Sequence, residues 1–105
     1  MTRRRRSKHV ADGDRFSILQ DDLTICYICG RKPVELHECI PGTAGRQKSK
    51  DHGLVVALCP ECHRRVHEHD PQLMRMLKAH AQWCFENTHT RKEWMAIFHR
   101  NYLDE

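Results

Sequence analysis

Six cysteines and nine histidines in 105 residues are the groups best equipped for chemistry, and their spacing says more than their number. Cys26 and Cys29 form one Cys-x2-Cys unit, Cys59 and Cys62 form a second, and 29 residues lie between the two units. Two such units can aim four thiolates at one tetrahedral ion with sulfur about 2.3 Å away, which closes the coordination shell and makes the site structural rather than catalytic. Zn²⁺ is the expected ion. A disulfide-exchange site needs only one such pair set in a βαβ unit, and a chain with two pairs has little room for that sheet. Cys39 and Cys84 lie outside the pairs and read as small buried apolar residues.

His63 and His67 are four apart, so on a helix their imidazoles project from one face as a two-ligand metal site requires. Since His63 follows Cys62 directly, the zinc clamp would also fix the helix that presents the pair. His37 ends a β-favouring run and falls within reach as a third ligand, with Glu38 beside it as a water-activating group. Arg46, Lys48 and Lys50 follow without an intervening acid, suited either to sequence-independent phosphate contacts or to a solvated loop. Arg64 and Arg65, next to His63, suit a phosphate clamp. Metal, base and phosphate-attracting charge together suggest phosphodiester hydrolysis. The plainer alternative is a helix surface with two solvated histidines.

These groups must be positioned by a short set of elements. Val34–His37 and Leu54–Leu58 are β-favouring runs joined by a long basic loop, and the Cys26–Cys29 turn forms a knuckle relieved by Gly30. Pro60 opens a helix carrying Cys62, His63 and His67 that ends near Asp70. Asp70 then caps a second helix whose Leu73, Met76, Leu77, His80, Trp83 and Cys84 recur at helical spacing and predict a buried face, with His80 a satisfied core histidine. Thr90 and Glu93 match a capping box, and Trp94, Ile97, Phe98 and Tyr102 follow on one face of a last helix. Phe16, Ile18 and Leu19 fit a short helix or strand equally well. The order predicts an α+β fold: a basic arm over residues 1–14, a zinc-stabilised core over 15–70, and a helical extension over 71–105 packed on it as one domain.

A chain this short buries a modest core and is expected to need a staple, for which metal is the natural candidate. Net charge is +4, yet Arg3–Arg6 and Lys8 alone give +5; the 18 basic residues less these five leave 13 against 14 acidic ones. Basicity is therefore concentrated in the arm, which suits a polyanion or serves as a solubilising end. The longest apolar run, Leu54–Cys59, is far below the roughly 18–20 residues a membrane-spanning helix requires. The N-terminus lacks the apolar stretch of a secretory signal, so a reducing cytoplasm is expected and thiols favoured over disulfides.

The order Cys26-x2-Cys29, Leu36-His37-Glu38-Cys39-Ile40-Pro41, then Leu58-Cys59-x2-Cys62-His63-x3-His67 resembles the HNH endonucleases of the ββα-metal fold, in the subgroup with a four-cysteine zinc. The resemblance covers roughly residues 24–69, and Ile97–Leu103 is similar to the C-terminal part of small phage and prophage HNH proteins. It implies DNA as substrate, a bacterial or phage-infected cytoplasm, and products with 5′-phosphate and 3′-hydroxyl ends. It also implies a catalytic divalent ion, Mg²⁺ or Mn²⁺, though imidazole ligands admit Ni²⁺ or Zn²⁺. In the family two adjacent residues close the first strand, a metal ligand and then a histidine base. Counting back from Pro41 puts His37 on the ligand position and Glu38 on the base position. Either His37, His63 and His67 bind the metal with Glu38 as base, or His37 is the base and Glu38 joins the ligands. The family's central asparagine should fall at Lys50-Asp51-His52-Gly53, where there is none, leaving Asp51 or His52 to orient the loop.

Two other classes of function compete. One is a zinc-stabilised DNA-binding module without turnover, fed by Glu38 and the missing asparagine. The other is an interaction protein whose helical tail presents Trp83, Trp94 and Tyr102. Oligomeric state and target sequence are not written in the chain, and phosphate chemistry alone does not separate RNA from DNA.

Overall fold

The two β-favouring runs pair as an antiparallel ribbon. In the computed structural model, which describes residues 15–104, β1 (Glu35–Glu38) lies against β2 (Val55–Leu58) with His37 opposite Val56 and Glu38 opposite Val55. All four β2 residues are buried, as an unbroken apolar run covered on both faces should be. Strand geometry puts Glu35 and His37 on one face of β1, and Leu36 and Glu38 on the other. The arginine-rich arm lies outside the described residues. From Arg15 to Val34 the chain forms turns rather than a helix or strand. Asp22 Oδ1 accepts the Thr24 N–H, and Gln20 Oε1 accepts the Ala57 N–H of β2 at 2.8 Å, which anchors this segment to the sheet.

Between the strands the expected basic loop is instead a helix, α1 (Thr43–His52). It has no apolar stripe, so its sequence offers no helical periodicity to read. Its C-terminal cap and one buried hydroxyl hold it. Gly53 closes it in a left-handed cap with φ 72°, and a Cβ there would sit 2.4 Å from Phe16 Cε2. Ser49, fully buried, accepts the Ile40 N–H at 3.1 Å and donates its hydroxyl to the Ile40 carbonyl at 3.2 Å, tying α1 to the exit of β1.

After β2, Cys59 caps α2 (Pro60–Arg64) with Pro60 in the first turn. The helix expected to reach Asp70 widens over Arg65–His69 into a π-helical turn, closed by the Asp70 N–H on the Arg65 carbonyl at 2.9 Å. Such turns fit one more residue into the helix and so re-aim the side chains they carry. Asp70 caps α3 (Pro71–Glu86), accepting the Leu73 N–H at 3.0 Å, and the Thr90–Glu93 capping box opens α4 (Arg91–Phe98). His99 ends α4 in the left-handed region with φ 66°, so Tyr102 lies beyond the helix rather than on its face.

The product is a small α+β arrangement of a two-stranded sheet and four α-helices among the described residues. One buried cluster joins Cys39, Leu54, Val56 and Leu58 with Leu77, Ala81, Phe85, Trp94 and Phe98. Trp94 wedges between Phe85 and Phe98, with ring centres 5.4 and 4.1 Å away. The buried face of α3 is narrower than its spacing suggests. Leu77, Ala81, Gln82 and Phe85 are covered, whereas Met76 and Trp83 are 43% and 56% exposed. Periodicity marks a helix's apolar arc, but the elements packed on it decide how much is covered. No helix among the described residues is long and apolar enough to cross a membrane.

Candidate metal centres

The cysteine group is assembled from two self-contained turns. In the first, the Cys26 N–H donates to the Arg31 carbonyl and the Gly30 N–H to the Cys26 carbonyl, both at 2.9 Å, with Gly30 at φ 78°. In each pair the second cysteine's N–H donates to the first one's sulfur at 3.5 Å, Cys29 to Cys26 and Cys62 to Cys59. The Tyr27 N–H on the Ala57 carbonyl, at 2.7 Å, fastens the knuckle to β2. All four Sγ atoms lie within 4.8 Å of one another; Cys26, Cys59 and Cys62 are buried and Cys29 is exposed.

The electrostatics of the thiols match that geometry. Burial opposes a charge on Cys26, but backbone N–H groups of Cys59, Cys29 and Ile28 outweigh it and bring the thiol down to about 6. Cys62 is pushed up to about 12 by burial and then by the neighbouring thiols. Among the thiols themselves a first negative charge forms readily and a second is opposed, an imbalance that a dication reverses. This donor set can hold a structural metal, as the sequence anticipates.

The second group draws on three elements. His37 comes from β1, His63 from α2 and His67 from the π-helical turn, and one ring nitrogen of each lies within 4.8 Å of the others. Ring centres are 5.3 Å apart for His37 with either partner and 4.9 Å for His63 with His67. His37 is 3% exposed, and its Nε2 is buried with no hydrogen-bond partner among the described residues, an atom that calls for a cation or water. Burial, then the nearby His63 and His67, depress its pKa to about 4, so near neutral pH it is uncharged and able to act as a ligand.

Sequence reasoning missed Glu35. Its Oε1 lies 2.7 Å from His63 Nδ1, which fixes the ring and leaves Nε2 for a ligand bond, the usual carboxylate–histidine arrangement behind a metal. The signal was present, since Glu35 is two residues before His37 and a strand puts both on one face.

Glu38 stands elsewhere. It is not in the group of ligand atoms, and its Oε2 accepts from Arg15 at 2.7 Å. Neither residue expected to orient the loop does so through the tie at Ile40, which belongs to Ser49. Asp51 accepts from Gln47 on the outside of α1, and His52 packs edge-on against Phe85 and Phe98. Of the basic residues, Lys48 braces the fold by donating to the Ile97 carbonyl at 2.6 Å, and Arg65 pairs at the surface with Asp70 at 3.1 Å. Arg46 and Lys50 sit one turn apart on α1, and they and the exposed Arg64 have no ion pair among the described residues. Cys39 is fully buried, as expected, whereas Cys84 is only partly covered; His80 is satisfied by the Tyr27 hydroxyl but is half-buried rather than in the core. No protein-family model matches this chain, and no curated protein and no solved structure matches it either.

Proposed function

We propose that this chain is a metal-dependent endonuclease of the HNH type that hydrolyses or nicks DNA, with Cys26, Cys29, Cys59 and Cys62 holding a structural Zn²⁺. The observation that carries the reading is the convergence of His37, His63 and His67, with the His37 Nε2 buried and without a hydrogen-bond partner among the described residues. These three residues would hold the catalytic divalent cation, which when bound supplies Lewis-acid stabilisation of the charge developing on the phosphate and the leaving oxygen. Glu35 orients His63. Glu38 is the base in this reading: it must leave Arg15 and turn from the opposite face of β1 toward the cation, where it takes the proton of the water whose oxygen attacks phosphorus. The phosphorus–O3′ bond breaks and O3′ gains a proton from solvent, leaving 5′-phosphate and 3′-hydroxyl ends. Arg46, Lys50 and Arg64 supply the positive charge that draws in the backbone.

A second reading has one observation in its favour. Arg15 holds Glu38 Oε2 at 2.7 Å, on the strand face away from His37, as suits a DNA-binding module without turnover. The two readings part in a plasmid-nicking assay with EDTA, Mg²⁺, Mn²⁺, Ni²⁺ or Zn²⁺. Metal-dependent nicking that disappears in His63→Ala while zinc content is unchanged is the result expected of the enzyme. Residual nicking in Glu38→Ala that is absent in His37→Ala would move the proton to His37. Salt-sensitive duplex binding with no nicking under any metal would establish the module instead.

A further inference from the structure

A second basic feature lies away from both metal-capable groups, where the first turns of α3 meet the segment after α4. Pro71, Met74, Arg75, Lys78, Arg100 and Tyr102 line a concavity of about 280 Å³. Three of the six are cations and none is acidic. Lys78 Nζ stands 5.6 Å from the centre of the Tyr102 ring and Arg100 Cζ 5.4 Å from it, so one ring draws positive charge from both walls. Arg75 and Lys78, three apart on one helix face, repel each other rather than stabilise the helix.

The wall opposite α3 is held in place. Gln82, fully buried, accepts the Tyr102 N–H at 2.7 Å and donates to Asn101 Oδ1 at 3.0 Å, while Trp94 Nε1 donates to the Arg100 carbonyl at 2.7 Å. A buried amide and an indole therefore fix the backbone that carries Arg100 and Tyr102. Fixed backbone, converging cations and an apolar floor of Pro71, Met74 and Tyr102 are what a nucleotide unit requires: charge for its phosphate and a flat apolar surface for its sugar or base. The position is suitable too, since Asp70 alone separates α3 from the π-helical turn that carries His67.

We infer that this concavity binds a backbone phosphate of the nucleic acid with its attached nucleoside, away from the bond that is cut, through Arg75, Lys78 and Arg100. The inference rests on the nuclease reading for the identity of its ligand. It is tested with the full chain and a fluorescein-labelled 20-base-pair duplex, measuring anisotropy over a range of salt. Wild type is compared with Arg75→Gln/Lys78→Gln/Arg100→Gln and with a charge-matched control, Arg31→Gln/Lys32→Gln/Lys92→Gln, after circular dichroism and zinc content have shown all three to be folded. The pocket variant is expected to bind at least about tenfold more weakly, with a salt slope smaller by about 2–3, one increment per lost contact. The control should lie close to wild type.

Equal weakening in both variants would reduce the effect to net charge and overturn the site, as would a pocket variant that binds like wild type. Plasmid nicking in parallel separates the two ideas. If wild type nicks but the pocket variant binds normally, only the pocket fails. A pocket variant that loses binding when wild type does not nick supports the pocket and rejects catalysis. Absence of duplex binding by wild type rejects both.

Discussion

Two ligand-rich groups share one short helix, yet they are built differently. The thiols stand at the start of α2, where Cys59 is its cap and Cys62 lies in its first turn; the imidazoles follow at His63 and, one π-helical turn later, His67. Each half of the thiol group is a turn closed by its own N–H···S bond. The histidine group has no such local closure. It exists because β1 puts His37 across from α2, because Glu35 holds His63, and because Ser49 ties α1 to the end of β1. A group closed locally behaves as part of the folding unit, whereas one closed by packing can be weakened while the chain stays folded.

The largest effect should come from breaking the thiol side. Structural zinc contributes an apparent ~10–16 kcal/mol in small domains, comparable with the whole stability of a domain of this size. Cys59→Ser is expected to lose zinc and cooperative unfolding together, followed by metal analysis and thermal circular dichroism, while His63→Ala keeps both. A folded Cys59→Ser chain with its full zinc content would remove the distinction.

Next in size is the acid response of the histidine side. Unfolded, His37 takes up a proton below about 6.5; folded, burial delays this to about 4. The unfolded chain therefore holds more protons between these values. The contribution of neutral His37 is complete above about 6.5 and is lost as pH falls toward 4, by at most roughly 3 kcal/mol. Urea midpoints of wild type and His37→Gln, measured from pH 7.5 to 4.5 without added catalytic metal, should converge as the pH drops. Parallel curves would mean that His37 is not buried as described.

Glu35→Gln sharpens the comparison more gently. Loss of the carboxylate behind His63 is expected to weaken metal binding at the imidazoles by about 10–100-fold and leave the thiol metal in place. Titration calorimetry with Mn²⁺ or Ni²⁺ on zinc-loaded protein reads this, and an unchanged affinity would show that Glu35 is only a surface partner. The smallest effect is expected from Ser49→Ala, which leaves the Ile40 N–H unpaired and destabilises the chain by about 1–2 kcal/mol in urea unfolding. Retained zinc with weaker Ni²⁺ binding would trace that loss to the β1 side. Equal loss at both groups would contradict it.

Features confined to a few neighbouring residues were readable. Cys-x2-Cys spacing fixes which thiols can meet, and Asp70 and Thr90 each satisfy backbone N–H groups within three residues, so both helix starts were legible. Features without a local signature were not. α1 has no apolar stripe, and what holds it is its Gly53 cap and tertiary ties through Ser49 and Lys48. The π-helical turn leaves no pattern in residue types. Trp83 resembles a core residue in periodicity, yet it is left exposed on α3 by the elements among the described residues.

The sequence alone therefore determined which donors this protein has and which of them pair within a turn, because those outcomes depend on residue type and separations of three or four positions. Tertiary structure decided that His37 stands with His63 and His67 while Glu38 faces Arg15, and that Lys48 braces α4 through the Ile97 carbonyl. Those outcomes depend on strand register and on which element covers which face, and packing of the whole chain sets both.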